Sequence, residues 1–217
     1  MRWTAPVVWG LLLSSVALTG HAQAPSNVSL NAQLLVAARA GDVPAVERVL
    51  GQGAAPNSRN RLGKTALLMA AEKGQAELAA TLLRAGADAN LASLEGVTPL
   101  MAAGYGGHAA IVKQLLGAGA RTEPTDRMHK SALVYAAAQG HADAVALLLD
   151  AGVAADTLHE HQLTALMWAA GQGQAEVVAL LLQRGARAEL RDDRGMSALD
   201  IARQAGHEAV VRALQAR

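Results

Sequence analysis

The chain contains no cysteine and no phenylalanine, and aromatic residues make up only 2% of its 217 positions. Without cysteine there is no disulfide framework and no lipid-modified N-terminal cysteine, so stability has to come from packing. The shortage of aromatics argues against one large core, which ordinarily uses such side chains to fill volume. A thin core of Ala, Leu and Val between closely stacked helices does not need them, and 52% of the residues are hydrophobic. Charge of one sign is lacking too: 19 Lys and Arg face 18 Asp and Glu, a net charge of +1. That balance has none of the basic surplus by which nucleic-acid binders hold phosphates. No linker, charge run or low-complexity segment divides the chain. It has no glycine-rich phosphate loop, nucleophile elbow or His-Glu-x-x-His motif, so neither an enzyme nor a cofactor is expected.

The N-terminus differs from the rest. Arg2 is followed by an apolar run from Val7 to Leu18 and then by small residues, with Ala22 and Ala24 as candidate cleavage points. This is the layout of a secretory signal peptide, and the run is short for a bilayer span. Cleavage after Ala22 is favoured because cleavage after Ala24 would place Pro25 first. The expected parts are therefore a leader at 1–22, a short tail at 23–29 and a folded domain at 30–217. Loss of Arg2 leaves 18 basic against 18 acidic residues, a net charge of 0. Export without disulfides points to a periplasmic location, with outright secretion as the alternative and no stable membrane insertion after cleavage.

The remainder carries a period of 33 residues. Gly41, Gly74, Gly107, Gly140, Gly173 and Gly206 keep that spacing, as do Gly53, Gly86, Gly119, Gly152 and Gly185, and Thr65, Thr98, Ser131, Thr164 and Ser197. Such a period means stacked units, none of which buries its apolar face alone. In one unit Thr65 caps a first helix carrying Leu67, Ala70 and Ala71, and Gly74 stops it in the left-handed conformation. A second helix follows from about Ala76 to Ala85, with Leu78, Leu82 and Leu83 inward, and Gly86 ends it. Pro99 stands at the first helical position of the next unit, where a missing N–H is harmless.

The stretch Gly96-Val97-Thr98-Pro99-Leu100-Met101-Ala102-Ala103, followed by Gly107-His108, Ile111-Val112, Leu115-Leu116 and Gly119-Ala120, resembles the ankyrin repeat. The resemblance implies an all-α repeat solenoid, a stack of helix–turn–helix units joined by hairpin loops. It covers six repeats: 30–62, 63–95, 96–128, 129–161, 162–194 and 195–217, the first and last reading as caps. Where the family places a histidine in its threonine-proline-leucine-histidine turn, this chain has Leu68, Met101, Val134, Met167 and Asp200, so apolar packing should replace a polar network. His129 and Gln162 stand where other units open with glycine, which calls the hairpin geometry there into question.

The resemblance implies binding of a partner protein on a concave surface made of hairpin tips and the outward face of each first helix, and the chain is expected to be a monomer. Met69, Glu72 and Lys73 share such a face by their i, i+3, i+4 spacing. Tyr105, Tyr135, Gln139, Trp168 and Gln172 fall in the corresponding sets, and Tyr105, Tyr135 and Trp168 are the only aromatics after the leader. Tyr and Trp are favoured as binding hot spots. They either line the groove or fill gaps between repeats. Met128, Leu163 and Met196 on the hairpin tips are further candidates, as exposed apolar residues or as packing between hairpins. His108, His141 and His207 sit at the family's glycine-histidine position and read as structural. His129, His159 and His161, with Met128 nearby, are the one conceivable copper or zinc site. The expected function is protein binding in the periplasm, and resemblance to exported ankyrin proteins implies a role as accessory factor for an oxidative-stress enzyme. The alternatives are an immunity or inhibitor protein against an exported toxin or lipase, and a metal-handling protein.

Overall fold

A computed structural model describes residues 27–216. The leader and tail positions 1–26 and Arg217 lie outside the described residues. The described chain forms helix pairs: α1 (Asn27–Ala40) with α2 (Val43–Gly51), α3 (Ala66–Glu72) with α4 (Ala76–Arg84), and α5 (Pro99–Tyr105) with α6 (Ala109–Gly117). Then come α7 (Ala132–Gln139) with α8 (Ala142–Asp150), α9 (Ala165–Gly171) with α10 (Ala175–Gln183), and α11 (Ala198–Ala205) with α12 (Glu208–Gln215). The first helices stack on one another in one layer and the second helices in another. Among the described residues no helix is long and apolar enough to cross a membrane.

The short first helices are set by their ends. Thr65, Thr98, Ser131, Thr164 and Ser197 each accept, through the side chain, the N–H three residues on. That satisfies one of the orphan donors of a helix start. The stop is a left-handed glycine: φ is +69° at Gly74 and +82° at Gly140. Helix α2 is capped by Asp42, which accepts from Ala45 N at 2.9 Å, but the later second helices lack a side-chain cap, because the residue at that position turns back to the preceding unit. His141 Nε2 lies 3.0 Å from Tyr105 O, Gln174 Nε2 donates to Ala138 O at 3.2 Å, and His207 Nε2 lies 3.1 Å from Gly171 O. These carbonyls belong to the unpaired C-terminal turn of the neighbouring first helix. A carbonyl can only accept, so both histidines carry the hydrogen on Nε2. His108 packs against Gly74, where a Cβ would come within 2.6 Å of His108 Cε1. The structural role expected of these histidines is what the fold uses.

The core runs through the whole stack. Leu34, Leu67, Leu78, Leu100, Ile111, Leu133, Leu148 and Leu166 are fully buried. Ala70, Ala71, Ala103, Ala136, Ala137, Ala169 and Ala170 line the contacts between first helices with no exposed surface. Small residues there permit close approach: a Cβ on Gly104 would stand 2.9 Å from Ala132 O. Leu68, Met101, Val134 and Met167 are buried, so apolar packing does replace the family's histidine. Asp200 keeps a polar solution, its carboxylate accepting from Ser197 N at 3.0 Å in a capping box.

Several expectations need correction. Helix α1 starts at Asn27, three residues inside the expected tail. Helix α4 ends at Arg84, with Ala85 as its cap, and Leu83 does face inward, half-buried and packed against the core. His129 (φ +53°) and Gln162 (φ +56°) do adopt the left-handed turn conformation that glycine supplies elsewhere, and His161 joins them at +59°. The hairpin at 129 thus survives, whereas Glu160–Gln162 tightens into a single 3-10 turn.

Candidate functional site: the aromatic groove

Four of the five hairpins are organised by one side chain near the base. Asn60 Oδ1 accepts from Leu62 N at 2.8 Å and Lys64 N at 3.0 Å. Ser93 Oγ does the same for Glu95 and Val97, both at 3.3 Å. Asp126 Oδ1 accepts from Met128 N at 2.9 Å and Lys130 N at 3.0 Å, and Asp192 Oδ1 from Arg194 N and Met196 N, both at 2.9 Å. A short polar side chain accepting from the N–H groups beyond it is the usual device of such turns. Burial works against the Asp192 carboxylate, but the Met196 and Arg194 N–H groups and the Arg194 guanidinium outweigh it and hold its pKa below the usual range. The fifth position is His159, whose ring cannot fill this role. Its Nε2 instead lies 3.4 Å from Ser131 Oγ.

Asp126 also reaches the first helix. Its Oδ2 accepts from the Tyr135 hydroxyl. Burial, and after it the Asp126 carboxylate, push the Tyr135 pKa well above its ordinary 10.0, so the hydroxyl remains a donor. Tyr135 meets Tyr105 edge to face, with centroids 5.6 Å apart and planes at 83°. On the hairpin, Lys130 Nζ lies 5.7 Å from the Tyr135 centroid and 4.4 Å from that of Trp168. At these separations a cation is attracted to the ring faces. Tyr105, Tyr135, Lys130 and Trp168 therefore form one row across three successive units. Tyr105 is 55% exposed, whereas Tyr135 and Trp168 are half-buried.

Hollows flank this row. One of about 310 Å³ is lined by Glu72, Val97, Met101, Ala102, Tyr105 and Tyr135. A second, also about 310 Å³, lies among Met128, His129, Lys130, His159, Leu163 and Trp168. A smaller one of about 150 Å³ involves Leu163, Trp168, Gln172, Arg194 and Ile201. The other candidates divide. Glu72, Lys73, Gln139 and Gln172 are exposed. Glu72 pairs with Lys64 at 2.6 Å, and Lys73 Nζ donates to Arg39 O. Met69 is only 7% exposed and belongs to the core, so it offers the groove little surface. Met128 is 60% exposed, but Leu163 and Met196 are half-buried. Asp126 and Lys130 escaped selection from sequence because each acts on a residue of another element. Comparing the positions one period apart, Lys64, Val97, Lys130, Leu163 and Met196, does not single out Lys130, since Lys64 shares its type.

The histidines do not assemble a metal centre. His161 Nδ1 pairs with Asp193 Oδ2 at 2.8 Å, while His159 faces Ser131. Burial lowers the His159 pKa, partly offset by a backbone hydrogen bond with His129. Among the described residues no group of at least three His, Cys, Asp or Glu side chains is placed to hold a metal ion.

Comparison with known proteins agrees with this architecture. The family model described as ankyrin repeats (3 copies) matches residues 34–126, 71–159, 101–192 and 133–217. The chain is similar to the crystal structure of the ankyrin repeat protein EF0377, with 30% identity and a TM-score of 0.78 over 85% of this chain and 97% of that one. No curated protein matches the chain in sequence. Ankyrin repeats generally mediate protein–protein interactions and are typically non-enzymatic scaffolds. With family matches spanning 34–217 and a 33-residue unit of capped helix pairs, the chain belongs to the ankyrin-repeat family.

Proposed function

We propose that this protein is an exported, monomeric ankyrin-repeat binding module that captures one partner protein through its aromatic groove in the periplasm. The observation that carries the reading is the row of Tyr105, Tyr135 and Trp168 along one face, in a chain with so few other aromatics. Aromatic anchors dominate binding energy when they sit beside hollows that a partner can fill. Export rests on the leader read in the sequence. The balanced charge favours a protein partner over nucleic acid. The role as accessory factor for an oxidative-stress enzyme rests on resemblance to exported ankyrin proteins. Identifying what is captured separates it from immunity against a toxin or lipase.

The test is capture from periplasmic extract by the chain beginning at Gln23, compared with Trp168→Ala. Loss of a hot-spot aromatic should weaken capture by about thirtyfold. Trp168 is half-buried, so the stability loss should be smaller than the roughly 3–5 kcal/mol of a full core truncation. Undiminished affinity of the folded variant would remove Trp168 from the site.

A further inference from the structure

We propose that the hollow between Tyr105 and Tyr135 receives an arginine side chain of the partner protein, its guanidinium held by the tyrosine rings and the Glu72 carboxylate. This rests on the groove reading above and names the chemistry that enters it.

The repeat itself supplies the template. Lys130 lies over Trp168, 38 residues further on, with its cation 4.4 Å from the ring centroid. The same step one unit earlier runs from Val97 to Tyr135, and Val97 brings no charge. The groove thus repeats its geometry, but the cation facing Tyr135 is Lys130 of the next unit, at 5.7 Å from the centroid against 4.4 Å at Trp168. Around the hollow stand Met101, Ala102 and Val97 as apolar wall, the two tyrosines at 83° to each other, and Glu72 as the one charged lining residue. Tyr105 is 55% exposed, so its ring surface is available to a partner. Ring faces and a carboxylate both attract positive charge. A guanidinium suits the site better than an ammonium. It is planar and weakly hydrated, stacks on aromatic rings, and offers a fork of donors to a carboxylate.

Two lysines oppose an incoming cation. Lys64 Nζ is 2.6 Å from Glu72 Oε1, and Lys130 Nζ is 5.7 Å from the Tyr135 centroid. The Lys64–Glu72 pair is partly exposed, at 29% and 34% of side-chain surface, and such pairs contribute little. Glu72 has a second oxygen, and only Oε1 is engaged by Lys64. Lys130 is already drawn to Trp168, the nearer ring. Removing the Lys64 competition should therefore strengthen binding.

The experiment is an NMR titration of the chain beginning at Gln23 with N-acetyl-arginine methylamide. The capped citrulline analogue serves as neutral isostere and tetramethylammonium as a non-planar cation. Arginine should shift the Val97 and Met101 methyl signals and the Tyr105 ring signals saturably, and bind more tightly than citrulline. Exposed cation–π contacts correspond to about two- to fivefold in affinity. Tyr105→Ala and Glu72→Gln should each weaken arginine binding by at least that factor, Tyr105→Phe should preserve it, and Lys64→Met should tighten it. Both weakening changes are at exposed positions, and unchanged melting confirms the fold. Citrulline binding as well as arginine, shifts centred on Trp168, tighter tetramethylammonium binding, or no saturable shift would each overturn the assignment. Loss of partner capture in Trp168→Ala without arginine binding would overturn this inference and leave the groove reading standing. Arginine binding without any partner capture would do the reverse.

Discussion

Asp126 joins the fold to the groove, and its removal should show both. One carboxylate oxygen holds the hairpin through Met128 N and Lys130 N at 2.9 and 3.0 Å, and the other holds the Tyr135 hydroxyl. Asp126 is 7% exposed, so water is poorly placed to replace these bonds. Hydrogen bonds to a charged group contribute about 1.5–3 kcal/mol each, and the hairpin pair is only partly buried, which favours the low end. With three bonds at the low end, Asp126→Ala should therefore cost roughly 4.5 kcal/mol, a fall in melting temperature of about 9–18 °C for a chain of this size. Asp126→Asn is the matched control. Asn60 already performs the hairpin task in its own unit, accepting at 2.8 and 3.0 Å, so the amide should lose about 1 kcal/mol or less. Urea unfolding followed by circular dichroism gives the global change. Trp168 fluorescence gives the local one, since repeat arrays need not unfold in one step. Lys130 leaves its place over Trp168 when the hairpin loosens, so the Ala variant should also lose partner capture. If the Ala and Asn variants unfold within about 0.5 kcal/mol of each other, the carboxylate does not hold the hairpin and the argument fails.

Two further outcomes follow from packing and charge. Gly104→Ala places a Cβ 2.9 Å from the Ala132 carbonyl, backbone that cannot swing aside, so α5 and α7 must separate. The expected cost is about 1–3 kcal/mol against the gain in helix propensity, and a variant at least as stable as the parent would disprove the close approach. The half-buried His159 has a pKa below its ordinary 6.5, with Ser131, His129, Lys130, Glu160 and His161 around it. Its native form binds fewer protons than the unfolded chain, so this contribution to stability is complete above about pH 7 and declines as pH falls through about 6.5. Melting temperatures between about pH 5 and pH 8 should slope downward towards acid, and His159→Gln should flatten that slope; an unchanged slope would locate the titration elsewhere.

The period made the fold legible because each unit needs its stop and start signals at the same offsets. Thr65 and its counterparts cap, and Gly74 and Gly140 turn left-handed, whatever the neighbours are. Depth within the stack was less legible. An i, i+3, i+4 spacing gives direction around one helix but not the distance to the next. The leading member of each outward set leans toward the neighbouring first helix, so Met69 and Ala102 are buried and Tyr135, Trp168 and Ile201 half-buried, while Glu72 and Tyr105 stay exposed. Nor can spacing within one unit show that Asp193 takes His161, or that Lys130 reaches Trp168, since those pairs cross from one unit to the next. The hairpins are joined by backbone bonds, Leu94 N to Leu62 O at 3.0 Å, Arg127 N to Glu95 O at 3.1 Å and Asp193 N to His161 O at 3.1 Å. Backbone bonding does not depend on the side chain, so position 97 can be valine and 130 lysine without changing the stack. Information about shape therefore lies in what repeats every 33 residues, and information about the partner in what does not. The rings of Tyr105 and Trp168, and the change from Val97 to Lys130 at one repeat position, are not fixed by the repeat, and all of these residues border the groove.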